Sequence, residues 1–538
     1  MRNVSWLAGS SGLVVAVAVA HASGCVGVGD NCALIATCAE YADAGSGGRG
    51  GQDRDAPGAD CPSPQMMLSG GPDASCGVFA SSSAPPSGDG SRTMPYTKLQ
   101  AAIDKAALEG RPVYACGQEF DESLHVPSGV TIYGGLDCAA GWVWKTGKPT
   151  LVKAPVTATA SGATEIAMRL EAGAGKTVIE DVDVTAPGGT MPGVSSVAVL
   201  IADTRAELTR SHLTAGDGMK GEDGAHLGDD PALSGVAGTT GFNICGAVAT
   251  NPGPDGPTKT CGAQVSTGGG GGDGGVLTGL NPNGGGGKPG TPPYMSSPTA
   301  GIGGAGQSNT NCAPGAQGAD GDVGDSGLGA AGKGDLSTSG YGGLSGQDGS
   351  DGKPGQGGGG GGASKGKSQV VCPGSNNADR AGATGGSGGT GGCGGAKGGG
   401  GKAGGSSMAL LSLAMHSITL TSVVLDVGNG GNGGSGGDGQ NGGSNGSGAN
   451  GGQGASGAKA GCTGGNGGLG GAGGPGGGGS GGHAIGVAYN GTAPKGTPSV
   501  SFKTTPPTVG IGGAAAANSA DPIAGKGADG TTGALVKF

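Results

Sequence analysis

Two stretches of the chain share one order of apolar, polar and glycine positions. Residues 195–218 read SSVAVLIADTRAELTRSHLTAGDG and residues 407–430 read SMALLSLAMHSITLTSVVLDVGNG. Leu208, Thr209, Leu213, Gly216 and Gly218 of the first align with Leu420, Thr421, Leu425, Gly428 and Gly430 of the second. Each copy is a short apolar strand, a polar corner, a second short strand and an abrupt change to glycine. An internal repeat of this kind is the mark of stacked coils in a β-solenoid.

The pattern predicts one helix, over 99–108. Thr97 stands as its N-cap with Gln100 three residues on. Leu99, Ile103 and Ala106 share a face, and Gly110 closes the end. A short strand at 76–80 precedes it, and others follow at 112–115, 123–126, 130–133, 150–152, 166–170 and 178–184, parted by turn residues as in HVPSGVTIYGG. No helices alternate with them, so a doubly wound sheet is disfavoured and a parallel β-helix suits the spacing.

The run GDGSRTMPYTKLQAAIDKA, then a strand, then VPSGVTIYGGLD resembles the entry to right-handed parallel β-helix proteins of the pectin-lyase-like superfamily. In that family a short helix caps the open end of the solenoid, where strand edges would otherwise be exposed. The resemblance covers 76–215, 406–428 and 482–538. It implies an all-β, right-handed parallel β-helix with an N-terminal capping helix and long glycine-rich insertions. Together with the N-terminal motif described next, those insertions resemble bacterial PGRS-family glycine-rich surface proteins.

The N-terminus reads as an export signal over 1–24. Arg2 precedes the apolar run LVVAVAVA at 13–20, which is too short to span a bilayer. Ala22-Ser23-Gly24-Cys25 resembles the lipobox of bacterial lipoproteins, which implies lipidation of Cys25 and a membrane as partner. Val26 rather than aspartate follows, which by analogy with the enterobacterial sorting rule points to the outer membrane. Cleavage near Ala22 by an ordinary secretory route is the alternative. Residues 25–75, rich in Gly, Ala, Asp and Pro, read as a tether. The full order is then a β-helix over 76–215, a glycine-rich insertion over 216–405, a single coil over 406–428, a second insertion over 429–481 and C-terminal strands over 482–538.

Thirteen cysteines are present, and a lipidated Cys25 leaves twelve to pair. Proximity suggests Cys32 with Cys38, Cys61 with Cys76, Cys116 with Cys138, and Cys245 with Cys261. Cys312, Cys372, Cys393 and Cys462 lie within the glycine-rich blocks, Cys462 being assignable to Cys393. No C-x-x-C or H-x-x-x-H spacing occurs, so disulfides and an oxidising compartment are expected rather than a metal site.

Glycine numbers 137 of 538 residues, with 3% aromatic. Through 461–482 every third residue is glycine, and Gly428, Gly431, Gly434 and Gly437 keep a three-residue spacing earlier. A three-fold extended helix puts such glycines on one edge, where neighbouring helices can pack as a polyglycine-II bundle. A disordered low-complexity loop is the competing reading, and the irregular stretch 220–310 favours it. Collagen is disfavoured because Pro314 stands alone beside the triplets at 315–327. A calcium-binding glycine repeat fails because Asp438 is the one aspartate between Val427 and Gly482.

The net charge of −10 argues against nucleic acid as a partner. Glu180, Asp181 and Asp183, with Arg210 and His212 on the next coil, are the residues a polysaccharide lyase or hydrolase would recruit. A corner role for Asp181 and solvated positions for the rest explain them as well, as they do His125 and His416. No catalytic residue, metal or cofactor is assigned. The expected function is a non-catalytic surface lipoprotein with a structural, adhesive or polysaccharide-binding role. The alternatives are a carbohydrate-active enzyme and, more remotely, a flat glycine-rich bundle that binds an ordered solid.

Overall fold

In the computed structural model the described residues are 61–538 without 62, 68, 69, 158, 159, 247, 248, 278–281, 375 and 376. Cys25, Cys32 and Cys38 lie outside them. The chain is all-β apart from short helical pieces, and most of its strands fall into three parallel sheets. It visits the sheets in turn, so Thr164–Leu170, Lys176–Glu180 and Val182–Thr185 lie in the third, first and second sheet. Ser195–Ile201, Arg205–Thr209 and His212–Thr214 then repeat that order and pair parallel with them. The single strand read at 178–184 is therefore two, broken at Asp181, which takes a left-handed conformation at φ 55°. Arg210 and Ser422 turn the next two corners at φ 50° and 54°. The Asp181 amide donates to Thr209 O and the Arg210 amide to Thr421 O, so these corners stack by hydrogen bonds.

Inward side chains form ladders down the core, among them Met168, Val199, Leu410 and Val487, all at most 1% exposed. Every residue of Ser195–Ile201 and Ser407–Ser412 is buried, on both faces. The outer face is covered by a hairpin of the first insertion, Asp335–Ser337 with Gly340–Gly342, through Leu336 and Tyr341. A strand buried on both sides has no polar alternation, which is why residues 197–201, VAVLI, are apolar without a break, while the buried Ser195 and Ser196 accept the Ser406 and Gly216 amides.

The helix α1 (Leu99–Glu109) packs Leu99, Ala102, Ile103 and Ala106 into the first coil, and Gly110 ends it in the left-handed conformation. Its N-terminus corrects the capping box. Lys98 is the N-cap without a side-chain bond, and the Glu122 carboxylate accepts from the Leu99 and Gln100 amides at 2.7 and 3.2 Å. Gln100 instead exchanges two hydrogen bonds with the His125 backbone. Cys61 and Ser63, read as part of the tether, also differ: Cys61 is bonded to Cys76, and buried Ser63 donates to Glu180.

Each glycine-rich excursion leaves after a second-sheet strand and returns to a third-sheet strand. The returning strands are Ser407–Ser412, Ala484–Tyr489 and Thr532–Lys537. The last of these excursions, over 503–531, interrupts what reads in sequence as continuous C-terminal strands. Inside the excursions there are few ladders but dense hydrogen bonding at three-residue intervals. Gly461, Gly464, Gly467 and Gly470 donate to the carbonyls of Gly452, Ala449, Gly446 and Gly443. Gly465, Gly468, Gly471 and Gly474 donate to Gly359, Gln356, Lys353 and Ser350 on a different neighbour. The stretch from 220, read as disfavouring order, follows the same rule: Gly221, Gly224, Gly235 and Gly238 donate to Asn432, Ser435, Ser444 and Ser447.

Candidate functional site

The glycine layer is built by close backbone approach. A Cβ at Gly470 would lie 1.9 Å from Cys393 O, and one at Gly385 would lie 1.8 Å from Gly361 O. Where an amide has no backbone carbonyl opposite, a short polar side chain accepts instead. Asp320 takes the Leu469 amide at 2.7 Å, Asn466 that of Gly448 at 2.9 Å and Asp223 that of Ser435 at 2.8 Å. A buried amide needs a partner, and the scattered Asp, Asn, Ser and Thr of the triplets supply it.

Three disulfides fasten this layer: Cys245–Cys372, Cys261–Cys393 and Cys312–Cys462. They overturn the pairing of Cys245 with Cys261 and of Cys462 with Cys393. The hairpin Thr258–Cys261 with Gln264–Thr267 carries Cys261 against the segment of Cys393, whereas Cys245 sits in a small cluster with Cys372, Val370 and Ile244. Packing, not nearness in sequence, chooses the partners. Cys116–Cys138 closes the first coils.

The first excursion keeps the register of the coils from which it springs. Asn429 donates to Asp217, and Asn441 to Asp229, across the same 212-residue separation. The second segment presents Asn432, Asn441, Ser444, Ser447, Asn450 and Gln453 exposed at multiples of three residues.

The carboxylates singled out in sequence are each occupied. Arg210 grips Asp181 with two hydrogen bonds of 2.9 and 2.8 Å and reaches Glu180 at 3.2 Å. Trp144 Nε1 donates to Asp181 at 2.9 Å. These contacts raise the Arg210 pKa further above its ordinary value, chiefly through the Asp181 hydrogen bonds. Asp183 accepts the His212 amide at 2.8 Å, and burial pushes its carboxyl up. Glu180 closes a first-sheet strand and Asp183 lies in the second sheet, so the corner at Asp181 separates them. His125 meets Glu171 at 3.1 Å at the surface, and His416 stands 4.0 Å from Asp203.

A group not assembled in sequence lies on the outer face of the second sheet. His212 Nε2 is 2.6 Å from Asp426, and Ser501 donates to the other oxygen of that carboxylate. Beside it Lys503 donates to Asp217 at 2.5 Å. Burial works to raise the Asp217 carboxyl, but the bonds from Lys503 and the Asn429 amide outweigh it and hold it below its usual value. The legible signal was the repeat itself, which aligns Thr214 with Asp426.

Among the described residues, no group of three or more His, Cys, Asp or Glu is placed to hold a metal ion, and no helix is long and apolar enough to cross a membrane. Five disulfides are compatible with an exported protein. No family model, no curated protein and no solved structure matches the chain.

Proposed function

We propose that this chain is an exported, lipid-anchored surface protein whose glycine layer is an adhesive, polysaccharide-binding plate carried by a right-handed parallel β-helix. The glycine segments are read as polyglycine-II helices and Cys25 as the lipidated residue that holds the protein at the outer membrane, in the manner of PGRS-like surface lipoproteins. One observation carries the reading: the periodic row of exposed Asn, Ser and Gln from Asn432 to Gln453. Such a row offers hydrogen-bond donors and acceptors at a fixed repeat, on backbone held in place by the bonded amides of the intervening glycines. A polymer with its own repeat can meet many of these weak contacts at once, and affinity then accumulates without a deep pocket.

The test is co-sedimentation of the full chain with insoluble polysaccharides. The native protein is expected in the pellet, and the double variant Asn441→Lys with Ser447→Lys in the supernatant. A native protein that stays in solution with every polymer sinks the adhesive reading. Fractionation of Cys25→Ser tests the anchor separately: release from membranes is expected, and unchanged membrane association rejects it.

A further inference from the structure

We infer that the corner where the glycine layer leaves the second sheet holds a discrete site for an uncharged sugar ring. This inference rests on the polysaccharide-binding reading above. A cleft of about 600 Å³ opens there, within the usual range for small-ligand sites. Its lining includes Asp217, Met219, Asp426, Ser501, Phe502 and Lys503.

The chemistry of the lining favours a polyhydroxylated ring. Asp426 is already oriented, by Ser501 on one oxygen and His212 on the other. Asp217 is oriented by the Asn429 amide and Lys503. A carboxylate has about four acceptor positions, so each retains lone pairs for incoming hydroxyls. Lys503 has further N–H donors at the same rim beyond the one given to Asp217, and the Ser501 oxygen can accept. Met219 and the part of Phe502 not covered by the core give the cleft its apolar surface, on which the C–H face of a sugar ring can rest.

Charge selects against acids. Lys503 is matched by Asp217, and the Asp426 carboxylate faces the same cleft within a chain of net charge −10. A uronate brought there would meet a like charge, which an interface avoids at considerable cost. The ligand class is therefore a neutral glycan, not an acidic one.

The experiment titrates the full disulfide-bonded chain by calorimetry with a neutral β-linked gluco-oligosaccharide of four units and, separately, with an oligogalacturonate of the same length. The neutral probe is expected to bind and the uronate not. Asp426→Asn and Lys503→Ala, each checked for an unchanged melting profile, are expected to weaken neutral binding by at least about tenfold, the equivalent of 1.4 kcal/mol. Failure of the neutral probe to bind, equal binding of the uronate, or unchanged affinity in both variants overturns the inference. Sedimentation of the native chain on insoluble polymer without binding of the soluble probe overturns the cleft and leaves the adhesive plate standing. Soluble binding without sedimentation supports the cleft and overturns the plate.

Discussion

Leu208 and Leu420 face each other on adjacent strands of the first sheet, although the whole first glycine-rich excursion lies between them in the chain. They are 1% and 4% exposed. Leu213 and Leu425 repeat the relationship in the second sheet. The third sheet departs from it by one residue, pairing Val197 with Met408, because the corner after Ser407–Ser412 is one residue longer.

Truncating this ladder tests the strand-to-strand contact. Leu420→Ala is expected to cost about 2–5 kcal/mol, the range for a leucine removed from a packed core. Urea unfolding of the native and variant chains measures it. A change below about 0.5 kcal/mol would contradict the buried position.

The glycine layer makes a sharper comparison. Gly470→Ala places a methyl 1.9 Å from Cys393 O, whereas a Cβ at Gly228 meets nothing within 4 Å. Gly470→Ala should lower stability by about 1–3 kcal/mol or more, as overpacking does, and Gly228→Ala should be nearly neutral. Equal melting temperatures for the two variants would rule out close backbone packing at Gly470.

The Cys312–Cys462 bridge ties two glycine segments across a separation of 150 residues. In native protein Cys462 should resist alkylation, and amides of 461–482 should exchange slowly. Cys312→Ser is expected to cost about 2–5 kcal/mol and to speed exchange in that segment first. Fast exchange throughout 461–482 in the native chain would leave only a flexible loop.

His483 makes the C-terminal junction sensitive to acid. Its Nε2 donates to Lys333 O at 2.7 Å, while Nδ1 accepts the Thr531 amide at 2.8 Å. A second proton on Nδ1 would displace that amide, and burial pushes the imidazole pKa below its usual 6.5. A histidine with a lowered pKa binds its proton less readily folded than unfolded. Its contribution is thus complete above about pH 6.5 and is lost as pH falls from there to the depressed value. Protection of the Thr531 amide, taken relative to the intrinsic exchange rate at each pH, should therefore fall between pH 7 and pH 5, and His483→Gln should flatten that fall. Equal pH dependence in native and variant chains would show that His483 does not govern the junction.

The local rules of the chain were legible without coordinates. Paired ladders at Leu208 and Leu420, the face of α1 and the glycine triplets all follow from periodicities of two, three and 3.6 residues, which the backbone imposes on any sequence. What only the tertiary structure decided was which distant segments meet. Glu122, not Thr97, caps α1, because the turn before Leu124–Val126 passes over the helix N-terminus. Cys245 takes Cys372 and leaves Cys261 to Cys393, because a hairpin swings them apart. Asp426, Ser501, His212, Asp217 and Lys503 come together from three coils whose spacing in sequence is set by excursions of unequal length. Glycine carries no side chain to specify a neighbour, so a triplet announces a three-fold edge but not its partner. The partner is fixed when the strands, pairing in register within the three parallel sheets, bring the roots of the excursions side by side.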